Sequence, residues 1–242
     1  MAADVPSAAE LDAAFLSIVA DWSRGGAGCD EARFDELARA TFAHQMARNE
    51  PYARFARSQG FDGASVTSWR EVPAVPASAF KDATLATFDI RRAELEFHTS
   101  GTTALASGKH YVERAALYDA SLLAGFDRFM LPDRAALRYL NLVPNPRLRG
   151  HSSLGYMMGH VSVLRGDGKA QYFLAGERLD AAGFVRGFGA AAAEARPLCI
   201  AGTAFAFVSL LDALRAAGTT LVAPPGSRVM ETGGFKGRSR AV

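Results

Sequence analysis

Apolar residues recur at intervals of three and four along much of the chain, the spacing that gathers them on one face of a helix. The clearest case begins at Ser7, which stands three residues before Glu10 as in a capping box, and it ends before Gly25. The pattern predicts helices over residues 7–24, 30–49, 113–130, 181–195 and 205–214.

Short apolar runs alternate with these helices and predict β-strands. The predicted strands are residues 85–88, 95–98, 138–143, 171–174, 198–201, 220–223 and 228–231. Strands that alternate with helices favour an α/β fold of layered sheets with packed helices. The chain before residue 80 is helical and then irregular, interrupted by Pro73 and Pro76. We therefore expect a helical segment over residues 1–80, packed on a main α/β domain over residues 81–242.

Composition narrows the classes of function. Of the 242 residues, 49% are hydrophobic, which is enough for a substantial core. The net charge of +2 offers no general attraction for nucleic acid or for an anionic membrane, so any anion binding has to be local. The longest apolar run, residues 198–211, is shorter than the roughly 20 residues that span a bilayer, so we expect no membrane span.

The start of the chain and its cysteines bear on location. Asp4, Glu10 and Asp12 stand where a signal peptide has basic and then apolar residues. Cys29 and Cys199 by themselves form neither a disulfide framework nor a metal site. We therefore expect a cytoplasmic protein with reduced thiols.

Hydroxyl and glycine residues are densest around residue 100. The candidate phosphate ligands there are Thr99, Ser100, Gly101, Thr102, Thr103 and Lys109. Backbone N–H groups, hydroxyls and a lysine are the groups that wrap a phosphate without reacting with it. A surface loop rich in Ser, Thr and Gly fits the same composition, so the residues alone leave both interpretations open.

Two well-known motifs are not met. A P-loop needs four residues between its glycines, whereas six separate Gly101 from Gly108. It also needs Ser or Thr after the lysine, where this chain has His110. A nucleophile elbow, G-x-S-x-G, is approached around Ser152, but Leu154 takes the place of the last glycine.

Segments of the chain resemble, in the family's order, the acyl-protein synthetases of the LuxE type, which are adenylate-forming enzymes. These segments are Thr99-Ser100-Gly101-Thr102-Thr103, Ser152-Ser153-Leu154-Gly155-Tyr156-Met157, Gly202-Thr203-Ala204-Phe205-Ala206-Phe207 and Glu231-Thr232-Gly233-Gly234-Phe235-Lys236-Gly237-Arg238. The similarity runs from about residue 70 to the end of the chain. One departure is Ala104, where the family usually has glycine.

The resemblance implies roles for particular residues and leaves the catalytic groups unassigned. The implied ATP-binding residues are Thr99, Ser100, Gly101, Thr102, Thr103, Lys109, Thr232, Gly233, Gly234 and Lys236, with Mg²⁺ as the accompanying ion. The implied acyl pocket contains Ser153, Tyr156, Met157, Gly202, Thr203 and Phe205.

The activity implied by the resemblance is activation of a long-chain fatty acid by ATP as an acyl-adenylate, followed by transfer to a protein thiol. The implied partners are a fatty acid or acyl donor protein, and acyl-transferase and acyl-reductase subunits. The family continues past the position of Val242 into a small mobile domain that carries the accepting cysteine. We therefore expect the large N-terminal domain of the adenylate-forming fold, without the C-terminal lid domain.

Two other functions stay open at this point. The chain fits a non-catalytic remnant of such an enzyme that binds an acyl group or a nucleotide. A serine hydrolase that uses Ser152 or Ser153 is a third interpretation, which the missing elbow glycine disfavours.

Overall fold

The computed structural model describes residues 5–62, 65–99, 107–148, 150–176 and 178–233. The chain divides into two compact units, Met1–Gly125 and Phe126–Val242. The boundary that the sequence suggests near residue 80 falls inside the first of these units.

Helices dominate the first unit. They are α1 (Ala8–Ser23), α2 (Glu31–Arg48), α3 (Glu50–Ser58) and the short α4 (Ala79–Asp82), with 3-10 helices at Trp69–Glu71 and Ile90–Arg92. The capping box at the start of α1 is confirmed, since Glu10 N–H donates to Ser7 Oγ and Ser7 N–H donates to the Glu10 carboxylate. The helix predicted over residues 30–49 is α2, and Asn49 then caps α3, in which Pro51 occupies the first turn.

The core of the first unit joins α2 and α3 to the irregular segment that follows them. The buried side chains of this core are Phe42, Met46, Tyr52, Ala53, Ala56 and Val66. Tyr52 also donates its hydroxyl to the Pro73 carbonyl at 2.9 Å, which fixes the segment that the sequence predicts to be irregular.

A β-hairpin and a long helix complete the first unit. Strands β1 (Leu95–His98) and β2 (Lys109–Val112) pair in antiparallel register, with Phe97 opposite His110. Helix α5 (Ala115–Met130) follows, and residue 125 lies within it. Glu94 accepts a hydrogen bond from the N–H of Ala115 at 2.7 Å and so supplies a partner at the start of α5. The strand predicted over residues 85–88 is wrong, because those residues form bends and irregular chain.

A five-stranded sheet forms the centre of the second unit. Its strands are β3 (Arg138–Pro144), β4 (Gln171–Ala175), β5 (Arg178–Leu179), β6 (Leu198–Gly202) and β7 (Arg228–Glu231), in the order β5-β4-β3-β6-β7. Neighbouring strands are parallel except β4 and β5. The α/β class is therefore confirmed. The strand predicted over residues 220–223 is wrong, since it has no strand partner and runs into two prolines that lack N–H donors.

Helices cover both faces of this sheet. They are α6 (Ser153–Leu164), α7 (Ala181–Ala193) and α8 (Ala204–Ala216). Leu140 and Leu142 of β3 share a core with side chains of α7 and α8. Asn141, which points to the opposite face, donates its side-chain amide to Ser162 of α6 at 3.1 Å. Among the described residues, no helix is both long and apolar enough to cross a membrane.

Candidate functional site

The hairpin stem of the first unit carries the predicted phosphate loop. Thr99 N–H donates to the Gly108 carbonyl at 2.8 Å, and Gly108 N–H donates to Thr99 Oγ1 at 2.9 Å. The Thr99 hydroxyl oxygen thus helps to close the base of the loop. The other predicted loop ligands, Ser100, Gly101, Thr102 and Thr103, lie outside the described residues.

Lys109, at the start of β2, is held by an acid that the sequence analysis did not single out. Its ammonium lies 3.1 Å from Glu96 Oε1, and His98 Nε2 lies 2.7 Å from the same oxygen. Hydrogen bonds from His98 and Lys109 lower the pKa of Glu96, and the hydrogen bond to Glu96 raises the pKa of Lys109. Lys109 is therefore a fixed cation whose side chain is half exposed.

Packing against α4 supports the stem. A Cβ atom on Gly108 would come within 3.1 Å of the Phe80 carbonyl group, so a larger residue here would require the two backbones to move slightly apart. The Phe80 ring stacks on His110, with ring centroids 3.9 Å apart. Burial lowers the pKa of His110, which favours its neutral form in this stack. The residue before Lys109 and the residue after it are thus both anchored to α4.

The carboxyl end of the five-stranded sheet is the candidate site of the second unit. Strand β3 leads through α6 to β4 on one side, whereas its other neighbour, β6, leads into α8. Because α6 and α8 cover opposite faces, the connections change direction between β3 and β6, and the rule for open α/β sheets predicts a crevice outside the carboxyl ends of these two strands. In open α/β sheets, such a change of direction is where ligands bind.

Two capped helix starts border this crevice. Ser152 Oγ accepts from Gly155 N–H at 3.1 Å at the start of α6, and Thr203 Oγ1 accepts from Ala206 N–H at 3.4 Å at the start of α8. Each helix start directs further N–H groups towards the carboxyl end of the sheet. Of the predicted acyl-pocket residues here, Ser153 is exposed, and Tyr156, Met157 and Phe205 are partly buried.

Thr232 joins this edge from the end of β7. Its N–H donates to the Gly202 carbonyl at 3.1 Å, and its hydroxyl donates to the same oxygen at 3.3 Å. Gly233 follows with a φ of 79°, which favours glycine. The structure thus brings Thr232 to Gly202, at the strand end that precedes Thr203. Gly234 and Lys236 lie outside the described residues.

Gly202 has a packing role that sequence reasoning missed. A Cβ atom at this position would lie 2.7 Å from the Cβ of Leu142 on the neighbouring strand β3. The close approach of β3 and β6 therefore requires glycine, whether or not a ligand occupies the crevice.

A cavity of about 880 Å³ lies elsewhere in the second unit, between β4, α7 and the loop after β3. Its lining includes Leu148, Gln171, Phe173, Arg186 and Ala190. None of the six predicted acyl-pocket residues lines this cavity. The sequence analysis gave no signal for it, because its walls come from three separate stretches of the chain.

Comparisons with protein-family models, with curated proteins and with solved structures found no match to this chain.

Proposed function

We propose that this chain is an acyl-protein synthetase of the LuxE type, which uses ATP to activate a long-chain fatty acid for transfer to a protein thiol. One observation carries the proposal. Three segments that resemble that family lie at the carboxyl end of one sheet, although they are far apart in sequence. They are the segments around Ser152, Gly202 and Thr232. Their convergence supports a single ligand site at the change of direction of an open α/β sheet.

The same proposal assigns the architecture to the large N-terminal domain of the adenylate-forming fold. Parallel strands joined through helices on both faces support this assignment. The antiparallel stem β1–β2, closed between Thr99 and Gly108, supports the phosphate-loop role of the residues that it frames.

The reaction has to turn a carboxylate into a good acyl donor. A carboxylate oxygen attacks the α-phosphorus of ATP, the bond from that phosphorus to the pyrophosphate oxygen breaks, and an acyl-adenylate forms. A protein thiolate then attacks the acyl carbon, and AMP leaves with the electrons of the broken C–O bond. Because the attacking carboxylate and the polyphosphate repel each other, the protein's main contribution is electrostatic.

The chain has groups suited to that contribution. In the proposal, the hydroxyls of Thr102 and Thr103 and nearby N–H groups hold the phosphates, and Lys109 supplies positive charge that Glu96 keeps in place. Glycine at residues 233 and 234 allows the adenine to approach the backbone. Mg²⁺ enters with ATP as part of the substrate and offsets its negative charge.

Pyrophosphate exchange tests the proposal directly. The chain is mixed with ATP, Mg²⁺, radiolabelled pyrophosphate and palmitate, and label that enters ATP is measured with and without palmitate. Exchange that depends on palmitate is the expected result. ATP binding without exchange would instead identify a non-catalytic nucleotide-binding remnant, and labelling of Ser152 or Ser153 by a fluorophosphonate would identify a hydrolase.

The phosphate loop can be tested separately by replacing Thr102 and Thr103 together with valine. We expect ATP binding to weaken by roughly 3–6 kcal/mol, because each of the two hydroxyls supplies one hydrogen bond to a charged group worth about 1.5–3 kcal/mol. Thr219→Val with Thr220→Val, far from the loop in sequence, is the matched control and should leave ATP affinity unchanged. An unaltered ATP affinity in a folded Thr102→Val, Thr103→Val variant would remove these hydroxyls from the site.

A further inference from the structure

The cavity beside β4 is formed where α7 approaches the sheet. Gly183, Gly187 and Ala190 lie on one face of α7 and line the cavity. A Cβ atom on Gly187 would come within 3.1 Å of the Phe173 ring and within 2.5 Å of Gln171 Oε1, so a larger residue would require both of these β4 side chains to shift. The cavity opens next to this contact, and its volume of about 880 Å³ lies in the range of about 300–1,000 Å³ typical of small-molecule sites.

The walls of the cavity are mainly apolar. The apolar side chains in the lining are Pro144, Leu148, Ala170, Phe173, Leu174, Ala175 and Ala190. Leu148 is 86% exposed, although it belongs to the lining. A ligand that covered Leu148 would remove apolar surface from water, which favours binding of an apolar body.

The cavity also carries a cation that is available to a ligand. Arg186 lines it and is exposed, and within the part of the chain that the structure describes no carboxylate pairs with its guanidinium. The acid in the lining, Asp180, is already engaged, because its Oδ1 accepts from Gly183 N–H at 2.8 Å at the start of α7. An arginine beside apolar walls is suited to a carboxylate, which it binds with two parallel hydrogen bonds.

We propose that this cavity binds an amphipathic monocarboxylate, with the apolar body against Leu148 and Phe173 and the carboxylate on Arg186. A dianionic phosphate fits less well, because Asp180 contributes a negative charge to the same lining. The site is distinct from the carboxyl end of β6 and β7, and it requires neither ATP nor adenylation.

Decanoate and decan-1-ol, both kept below their aggregation limits, are the probes for this site. Titration calorimetry gives their affinities, and amide NMR shifts of Gly176, Gly183 and Gly187 report binding at the cavity lining. Arg186→Gln should weaken decanoate binding about tenfold and leave decan-1-ol binding unchanged. Arg215→Gln removes an exposed arginine of α8 that lies outside the cavity lining, and it should change neither affinity.

A second pair of variants tests the apolar walls. Ala190→Phe places a ring at the cavity and should weaken both probes, whereas Ala182→Phe, an exposed position of α7 outside the lining, should weaken neither. Equal decanoate affinity in the Arg186→Gln and Arg215→Gln variants, or no decanoate-dependent shift at the three glycines, would overturn the proposal. Because these measurements contain no ATP, a failure of pyrophosphate exchange leaves their result unaffected.

Discussion

The two ends of the five-stranded sheet are built from different chemistry. At the amino end, Arg138 is only 3% exposed and donates to Asp167 at 2.8 Å and to Glu194 at 2.8 Å. At the carboxyl end, the groups are helix N–H donors, the hydroxyls of Ser152 and Thr203, glycine, and the carboxylate of Glu231, which accepts from Gly233 N–H. The amino end neutralises its own charges in one network, whereas the carboxyl end is built from capped helix starts.

The positive charges at the amino end also offset the unfavourable position of Glu194. Glu194 stands at the carboxyl end of α7, where the helix dipole disfavours an acid. Arg138 and Lys169 both donate to its carboxylate, and these hydrogen bonds lower the pKa of Glu194 to about 2. The network therefore ties β3, α7 and the residues before β4 together. Its role is to stabilise the fold.

The Arg138→Met variant tests the difference between the two ends of the sheet, and it has the largest expected effect. Removal of the cation leaves Asp167, whose side chain is only 10% exposed, without its main partner, and we expect a loss of about 3 kcal/mol in the free energy of unfolding. Urea denaturation measures that loss. Arg215→Met, at an arginine that is 82% exposed, should cost less than about 0.5 kcal/mol. A similar cost for both variants would mean that the amino-end network contributes little.

ATP binding should not respond to the same substitution. The Arg138→Met variant changes no group at the carboxyl end, so under the proposed function its folded fraction should have the same ATP affinity as the original protein. ATP titration at low temperature, scaled by the folded fraction, checks this. A large fall in ATP affinity would show that the two ends do not act separately.

Helix caps and continuous apolar runs in the sequence predicted several helices and strands correctly. Ser7 and Glu10 gave the start of α1, and continuous apolar runs gave β3 and β6. Strand β2 was missed because its residues, Lys109–Val112, are not an apolar run and become a strand only by pairing with β1 across the loop. The strand predicted at 220–223 failed for the complementary reason, since β-propensity without a partner does not make a sheet.

The candidate site was predictable in outline only. Helix α6 was not predicted, because Gly155 and Gly159 weaken the helical pattern. A Cβ on Gly159 would lie 2.8 Å from Pro146, so glycine is needed for the loop after β3 to pack there. The partners of Glu96 and of Arg138 were missed because a sequence does not indicate which charges meet across strands and helices.

A smaller effect is expected at the carboxyl end, from loss of the cap of α6. Ser152→Ala removes the oxygen that accepts from Gly155 N–H and should cost about 1 kcal/mol in the free energy of unfolding. Ser152→Gly is the matched variant and should cost only a few tenths of a kcal/mol, since glycine is tolerated at this position. Urea denaturation of both variants measures the difference. A Ser152→Ala variant as stable as the original protein would show that the Ser152 hydroxyl does not act as a cap.

The smallest expected effect is on the pH dependence of stability, and it concerns Glu194 at the amino end of the sheet. The folded-state pKa of Glu194, about 2, lies below the value of about 4.3 for an unfolded chain, so its ionised form favours the folded state. This contribution is complete above about pH 4.3 and is lost as the pH falls towards 2.

Glu194→Gln should therefore make stability fall less steeply between about pH 4.3 and pH 2, as measured by urea midpoints across that range. Some dependence of stability on pH should persist in this variant, because Asp167 also has a pKa below its ordinary value. Burial raises the pKa of Asp167, but the hydrogen bonds from Arg138 and Lys169 lower it by more. The Glu194 side chain is 45% exposed, so added salt should reduce the difference between the two proteins. An unchanged pH dependence in the Glu194→Gln variant would mean that the amino end is held by Asp167 and Arg138 alone.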